Sequence, residues 1–105
     1  MSNQDNEAKQ IRRRHQALAI LRCLNRSPDF RSNEEVLLDW HRHLGLTSSR
    51  DELRGIVSFL ETEGLLRTES VEGLLIASMT DDGCDVAAGR KLIDGVQRPT
   101  PGCPY

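Results

Sequence analysis

The fold is indicated most clearly by residues 49–83, which read SRDELRGIVSFLETEGLLRTESVEGLLIASMTDDG. Ser49 and Glu52 are three residues apart, as in a capping box at the start of a helix. Apolar residues at helical spacing follow as far as Gly64, a residue typical of a helix end. Two aliphatic runs then flank the polar connector 70–73, and this pattern predicts a β-hairpin. The segment therefore predicts a helix followed by two short strands.

Three further helices are expected around this segment. Residues 6–26 carry apolar side chains at steps of three and four, which predicts a first helix that stops before Pro28. Ser32 and Glu35 have the form of a second capping box, for a helix that ends near Gly45. Beyond the hairpin, Thr80 can cap a fourth helix, with apolar positions as far as Val96.

Length and composition indicate one small aliphatic domain. The chain has 105 residues, of which 37% are hydrophobic and only 4% aromatic, so we expect a domain over residues 6–96 and an extended, proline-rich tail over 97–105. No apolar run is long enough to cross a bilayer, and the N-terminus is polar, so a cytoplasmic protein without a membrane partner is expected. The three cysteines have no paired spacing, which favours reduced thiols and neither a metal site nor a cofactor.

Charge is distributed unevenly along the chain. The net charge is −2, but residues 1–50 carry nine basic and six acidic side chains, whereas residues 51–105 carry five basic and ten acidic ones. The net charge alone predicts neither nucleic acid nor membrane as a partner, and the basic side chains concentrate on the first helix.

Three helices followed by a two-stranded ribbon and another helix resemble the winged helix-turn-helix fold over roughly residues 8–96. The passage FLETEGLL at 59–66 resembles the helix-to-wing passage of many bacterial regulators. MTDDG at 79–83 is similar to the stretch that opens the helix after the wing in MarR-, PadR- and ArsR-type repressors. A further resemblance is to small ArsR-like proteins of Mu-like prophages. The implied fold is mainly α, with a three-helix core, a two-stranded wing and a C-terminal helix.

This resemblance implies a sequence-specific DNA-binding transcriptional regulator whose third helix enters the major groove. Arg50 and Arg54 lie four residues apart, so both can point away from the apolar stripe toward DNA. They can equally be ordinary solubilising residues, paired with Asp51 or Glu61. The candidate double-stranded DNA contacts carried over to the third helix and the wing are Thr47, Ser48, Ser49, Arg50, Arg54, Ser58 and Arg67.

The first helix offers a second basic surface. Arg12 and Arg13 belong to a run of three arginines and are candidate phosphate contacts, although a solvated helix face explains them as well. By resemblance, the first and last helices would also form a homodimer. The apolar residues that could serve this dimer are Leu18, Leu21, Leu92, Ile93 and Val96.

Other features weaken the DNA interpretation or exclude different chemistry. The wing carries Arg67 against Glu69 and Glu72, and an acidic wing holds phosphate poorly. The alternative function is a winged-helix module that binds another protein, as a phage or prophage accessory protein that does not bind DNA.

His41 and His43 point to different sides of a helix, so we expect surface roles for both. No catalytic or phosphate-binding constellation occurs, and an enzyme is not expected.

Overall fold

The computed structural model describes residues 3–105, with side chains from Gln4 onwards. These residues contain four α-helices and a three-stranded antiparallel sheet, and so form a small mixed α/β domain. The strands lie in the order β1-β3-β2. The elements are α1 (Asn3–Arg26), a 3-10 turn (Pro28–Phe30), β1 (Arg31–Asn33), α2 (Glu34–His43), α3 (Arg50–Thr62), β2 (Leu66–Val71), β3 (Leu74–Met79) and α4 (Asp81–Ala87).

A third strand, β1, corrects the predicted two-stranded ribbon. It pairs antiparallel with β3, and Ser32 lies opposite Ala77. Ser32 is therefore a strand residue and does not cap α2 as predicted. The cap is Asn33, whose side-chain oxygen accepts a hydrogen bond from the Val36 amide at 3.1 Å. A strand of only three residues shows no recognisable period-2 pattern, which is why the sequence did not reveal it.

The predicted start of α3 is confirmed. The Ser49 hydroxyl accepts from the Glu52 amide at 3.1 Å, and the Glu52 carboxylate accepts from the Ser49 amide at 2.9 Å. Both halves of the capping box are thus formed, and they satisfy backbone groups that a helix end would otherwise leave unpaired. The predicted cap of α4 is also confirmed, because the Thr80 hydroxyl accepts from the Gly83 amide at 3.1 Å.

The predicted length of the fourth helix is wrong. α4 ends at Ala87, and Gly89 follows in a left-handed conformation with φ of +81°. A left-handed glycine directs the chain out of the helix, so residues 88–105 form no further helix or strand. Ile93 and Val96 still pack against the core, but from this irregular segment.

The hairpin is confirmed, with a shorter connection than predicted. β2 and β3 pair from Leu66 opposite Met79 to Val71 opposite Leu74. Only Glu72 and Gly73 connect them, with φ of +53° and +81°. Positive φ at both central residues is the geometry of the two-residue turns that match the twist of a hairpin.

α1 runs through the middle of the domain. Residues 16–21 are buried on every side of the helix, whereas residues 4–13 are exposed at every position. The C-terminal segment lies against α1, since the Gln97 amide donates to the Arg14 carbonyl at 3.1 Å and the Tyr105 hydroxyl contacts His15 Nδ1 at 2.6 Å. The body of the domain therefore surrounds only the second half of α1.

The joint between α1 and α2 contains the single tryptophan of the chain. The Arg26 guanidinium lies 5.2 Å from the centre of the Trp40 ring, within the range of a cation–π contact. The His43 ring stacks on Trp40 at 5.5 Å between ring centres. Trp40 thus connects the last turns of the two helices.

Candidate nucleic-acid interface

The two arginines predicted to read DNA converge on one buried carboxylate, Glu34. Arg54 Nε and Nη2 donate to the two Glu34 oxygens, each at 2.8 Å, in a bidentate pair. Arg50 Nη1 lies 2.9 Å from the same carboxylate, and Arg50 also pairs with Glu35. The arginines are each a little under half exposed, whereas the Glu34 side chain is 1% exposed. The positive charge at the start of α3 is therefore balanced within the protein.

Glu34 also holds the hairpin in place. Its carboxylate accepts a hydrogen bond from the Leu75 amide at 2.6 Å. The pKa of Glu34 is lowered from 4.5 to about 2, because hydrogen bonds from Arg54, the Leu75 amide and Arg50 outweigh the cost of burial. The group is charged at any ordinary pH and links the first turn of α2 to α3 and β3.

The sequence did not point to Glu34 as the partner of these arginines. The partners suggested by the sequence, Asp51 and Glu61, are on the same helix as the arginines, but neither forms an ion pair with Arg50 or Arg54 among the described residues. Glu34 precedes Arg54 by twenty residues, and no local spacing rule connects two residues on different helices. A glutamate in the first helical turn is favourable beside the helix dipole in any case, so nothing in the sequence marked it as unusual.

One exposed ridge of α3 carries none of the basic side chains. Its four residues recur at steps of three and four, and all are exposed. The ridge consists of Asp51, Gly55, Ser58 and Thr62. Asp51 is its only charged residue, and Ser58 is one of the predicted DNA contacts.

A buried hydrogen-bonded histidine near the end of α2, which the prediction placed at the surface, contacts the turn before α3. His41 is 0% exposed, so its expected surface role is wrong. Its Nε2 lies 2.9 Å from the Gln16 carbonyl, and its Nδ1 lies 2.8 Å from the Ser48 hydroxyl. A carbonyl can only accept, so Nε2 carries the proton and Nδ1 accepts from Ser48. Burial lowers the pKa of His41, which favours this neutral form.

The three predicted DNA contacts before α3, Thr47, Ser48 and Ser49, differ in exposure and in their hydrogen bonds. Ser48 is buried by its bond to His41, with 8% of its surface exposed. Thr47 is exposed, and its carbonyl accepts a hydrogen bond from Arg12. Ser49 is also exposed, and its hydroxyl is used in the capping box. Of the three hydroxyl groups, only that of Thr47 has no hydrogen bond assigned within the described residues.

Basic side chains that lack an acidic partner lie on α1. Lys9, Arg12 and Arg13 line a cleft of about 260 Å³ between α1 and α3, together with Gln16, Glu52 and Ile56. Within residues 4–105, none of these three cations takes part in an ion pair. The Arg13 guanidinium reaches the exposed side of α3, since a methyl group on Gly55 would lie 3.8 Å from Arg13 Nη2.

The two groups of arginines lie on different sides of α3. Arg54 contacts the Gly73 carbonyl at the tip of the hairpin, at 3.2 Å. Arg13 approaches α3 at Gly55, on its α1 side. A groove of about 430 Å³ separates α3 from the hairpin and is lined by Arg54, Ser58, Thr68 and Ser70, among others. The candidate DNA contacts therefore do not form one continuous patch of free positive charge.

Arg67 is exposed on the hairpin. Neighbouring residues of a strand point to opposite faces, and Thr68 faces the groove, so Arg67 lies on the other face of the sheet. Nearby on that face, Arg31 pairs with Glu69. Arg67 itself forms no ion pair within the described part of the chain.

Neither a metal-binding group of histidine, cysteine and acidic residues nor a helix long and apolar enough to span a membrane occurs among the described residues. No family model matches the chain, and no solved structure matches it. The chain is similar to the uncharacterized protein gp26 of Escherichia phage Mu. The two are 37% identical over 84 residues, which cover 80% of this chain and 86% of the phage protein.

Proposed function

The chain belongs to the family of the phage Mu protein gp26, and from this premise we propose that it is a phage protein that binds double-stranded DNA as a winged helix and regulates transcription. The order of elements supports the winged-helix assignment: α2, a turn and α3 are followed directly by the β2–β3 hairpin, with α1 packed behind them. In such a domain the second helix of the helix-turn-helix lies in the major groove.

The observation that carries the proposal is the unpaired positive charge of Lys9, Arg12 and Arg13 beside α3. Contacts from lysine and arginine to phosphate supply much of the affinity for DNA and fix the orientation of the protein on the duplex. A duplex that contacts these three side chains would also meet the exposed ridge of α3. Base contacts would then come from the Ser58 hydroxyl, which can donate to or accept from base edges. The Thr62 hydroxyl donates to the Ser58 carbonyl at 3.0 Å and can still accept from a base.

In this proposal Arg50 and Arg54 are not the main source of DNA affinity, in contrast to their expected role as the principal DNA contacts of α3. After their bonds to Glu34 and Glu35, Arg54 Nη1 and Arg50 Nε have no assigned partner among the described residues. Each can still donate to one acceptor on DNA, but the cluster formed with Glu34 and Glu35 has no net charge to attract phosphate. These arginines would add base preference, and the α1 side chains would supply most of the affinity.

We expect replacement of Lys9 and Arg13 by alanine to weaken binding to every duplex alike. The measurement is the fluorescence anisotropy of labelled duplexes, one random and others flanking the coding region, at several salt concentrations. Loss of two phosphate contacts should lower the dependence of log K on log salt by about 2 per chain.

The matched control is Arg42→Ala with Lys91→Ala, which removes the same two charges from side chains that pair with Asp39 and Asp82. The control should bind nearly as tightly as the unmodified protein. Equal losses in both double variants would show that only net charge matters, and would contradict a DNA surface on α1.

A protein-binding module is the second candidate, and the acidic exposed ridge of α3 favours it. Asp51 is the only charged side chain of that ridge, and Glu72 lies at the tip of the hairpin. Both would repel a phosphate backbone. Absence of salt-sensitive binding to any duplex, with a folded protein at micromolar concentration, would decide for this candidate.

A further inference from the structure

Among the described residues, no element buries the first half of α1, although Arg12 and Arg13 reach toward Thr47 and α3. Residues 4–13 are exposed at every position, whereas the same helix is buried on all sides from Gln16 to Leu21. A helical segment of about ten residues is marginally stable in water without tertiary contacts. Most of its residues are polar, but Ile11 is 47% exposed and Ala8 is exposed as well. The question is what covers these two residues.

Ala8 and Ile11 are the centre of a stripe with the spacing of a coiled coil. Gln4, Ala8, Ile11 and His15 follow one another at steps of four, three and four, which places them on one side of the helix. We call these four residues the α1 stripe. His15, at its inner end, is half-buried and contacts Tyr105 of the C-terminal segment.

The charges that flank the α1 stripe are complementary to those of a second, antiparallel copy. Asp5 and Arg12 lie on one flank, and Glu7 and Arg14 lie on the other. In an antiparallel helix pair the same flanks of the two helices meet. With Ala8 opposite Ile11 of the partner subunit, Asp5 lies near the partner subunit's Arg12, and Glu7 lies near the partner subunit's Arg14. Each acidic residue thus meets a basic one, on both flanks.

We propose that a second copy of this chain covers the α1 stripe, in an antiparallel dimer made by the first halves of the two α1 helices. The antiparallel direction follows from the position of the domain body. The body surrounds α1 from Gln16 onward. In a parallel pair the two bodies would therefore lie side by side at the same end of the helix pair, where they would obstruct each other. In an antiparallel pair they lie at opposite ends.

The proposed interface replaces the dimer surface expected from the sequence. Of the residues expected to serve that surface, Leu18 and Leu21 are 1% and 0% exposed within a single chain, whereas Leu92 is 61% exposed but lies beyond the end of α4. The α1 stripe is the exposed continuation of the same helix. It also leaves Lys9 and Arg13 free, because these two residues lie on another side of α1, toward α3, whereas Arg12 belongs to both surfaces. Variants of Lys9 and Arg13 therefore test DNA binding separately from the dimer.

The test is sedimentation velocity from low to several hundred micromolar protein. A short interface with two aliphatic layers should give a concentration-dependent dimer with a dissociation constant in the micromolar range. Ile11→Glu, at an exposed position that the core does not use, should weaken the dimer by about tenfold or more. Lys9→Ala with Arg13→Ala, which should weaken DNA binding, should leave the dimer unchanged.

Two charge variants test the antiparallel pairing. Asp5→Arg with Glu7→Arg makes all four flanking positions basic, and Arg12→Glu with Arg14→Glu makes all four acidic. Each variant alone should be monomeric, because like charges face each other across the pair. An equimolar mixture of the two should form a heterodimer, which a variant that merely unfolds could not do.

A protein that stays monomeric over the whole concentration range would overturn the proposal. So would a dimer that Ile11→Glu leaves intact, or a dimer in each charge variant alone. Loss of DNA binding with an intact dimer would contradict the proposed function and leave this inference standing, so the two can fail separately.

Discussion

At the scale of single residues, Glu34 is the buried carboxylate that joins α2 to α3 and β3. Glu34→Gln keeps the shape of the side chain but removes the charge that Arg50, Arg54 and the Leu75 amide share. We expect a loss of roughly 2–4 kcal/mol in the free energy of unfolding, measured by urea denaturation. Glu35→Gln removes an adjacent, half-exposed carboxylate with one ion pair, and should cost less than about 1 kcal/mol.

The effect of Glu34 should also depend on pH. Its folded pKa of about 2 is below its ordinary value of 4.5, so the unfolded chain binds the proton more readily. The stabilisation is complete above pH 4.5 and is lost as the pH falls toward 2. The difference between the protein and Glu34→Gln should shrink over that interval, and a constant difference would contradict the ion pairs described.

His41 should make stability depend on pH in a higher range. Burial holds its pKa below the ordinary 6.5, so the unfolded chain takes up a proton that the folded chain excludes. Stability should fall as the pH drops below 6.5, by at most about 1.4 kcal/mol per pH unit. His41→Gln should abolish this dependence, and His43→Gln, at an exposed position, should retain it. Urea denaturation between neutral pH and pH 5 would measure both.

At the scale of elements, two glycines within helices should respond oppositely to alanine. A Cβ on Gly83, in the first turn of α4, would lie 2.0 Å from the Leu65 carbonyl oxygen and 2.7 Å from Met79 Cγ. Gly83→Ala must therefore push α4 away from the start of β2, at a cost of roughly 2 kcal/mol or more. Gly55→Ala meets only Arg13 Nη2, at 3.8 Å, and should stabilise α3 by up to about 1 kcal/mol. Thermal unfolding of the two variants would compare them.

The elements that the sequence predicted are those whose signals are local. Ser49 with Glu52, Thr80, and the apolar spacing of α3 each involve residues within one or two turns of one another. β1 depends on contacts with a distant part of the chain, so local patterns did not reveal it. The early end of α4 has a local cause, the left-handed Gly89, which the prediction passed over because apolar positions continue as far as Val96. The pairing of β1 with β3 joins residues more than forty positions apart.

At the scale of the whole molecule, the sequence located basic side chains but not their partners. Counting charges identified the first helix as the most basic part of the chain, and α1 does carry more basic side chains than any other element. Tertiary packing decides whether a basic side chain is neutralised by a carboxylate. It brings Glu34 of α2 to Arg50 and Arg54, but among the described residues it brings no carboxylate into an ion pair with Arg13. The candidate surface consequently moves from the arginines of α3 to the cleft between α1 and α3.

The joint between α1 and α2 has a spectroscopic consequence. Because the chain has a single tryptophan, its intrinsic emission above the tyrosine band originates from one place, the contact of Trp40 with Arg26 and His43. Separation of the two helix ends alters the surroundings of the indole ring, so the emission spectrum follows the opening of this joint without any attached label. The protein thereby contains its own optical probe of whether the long first helix is docked on the rest of the domain.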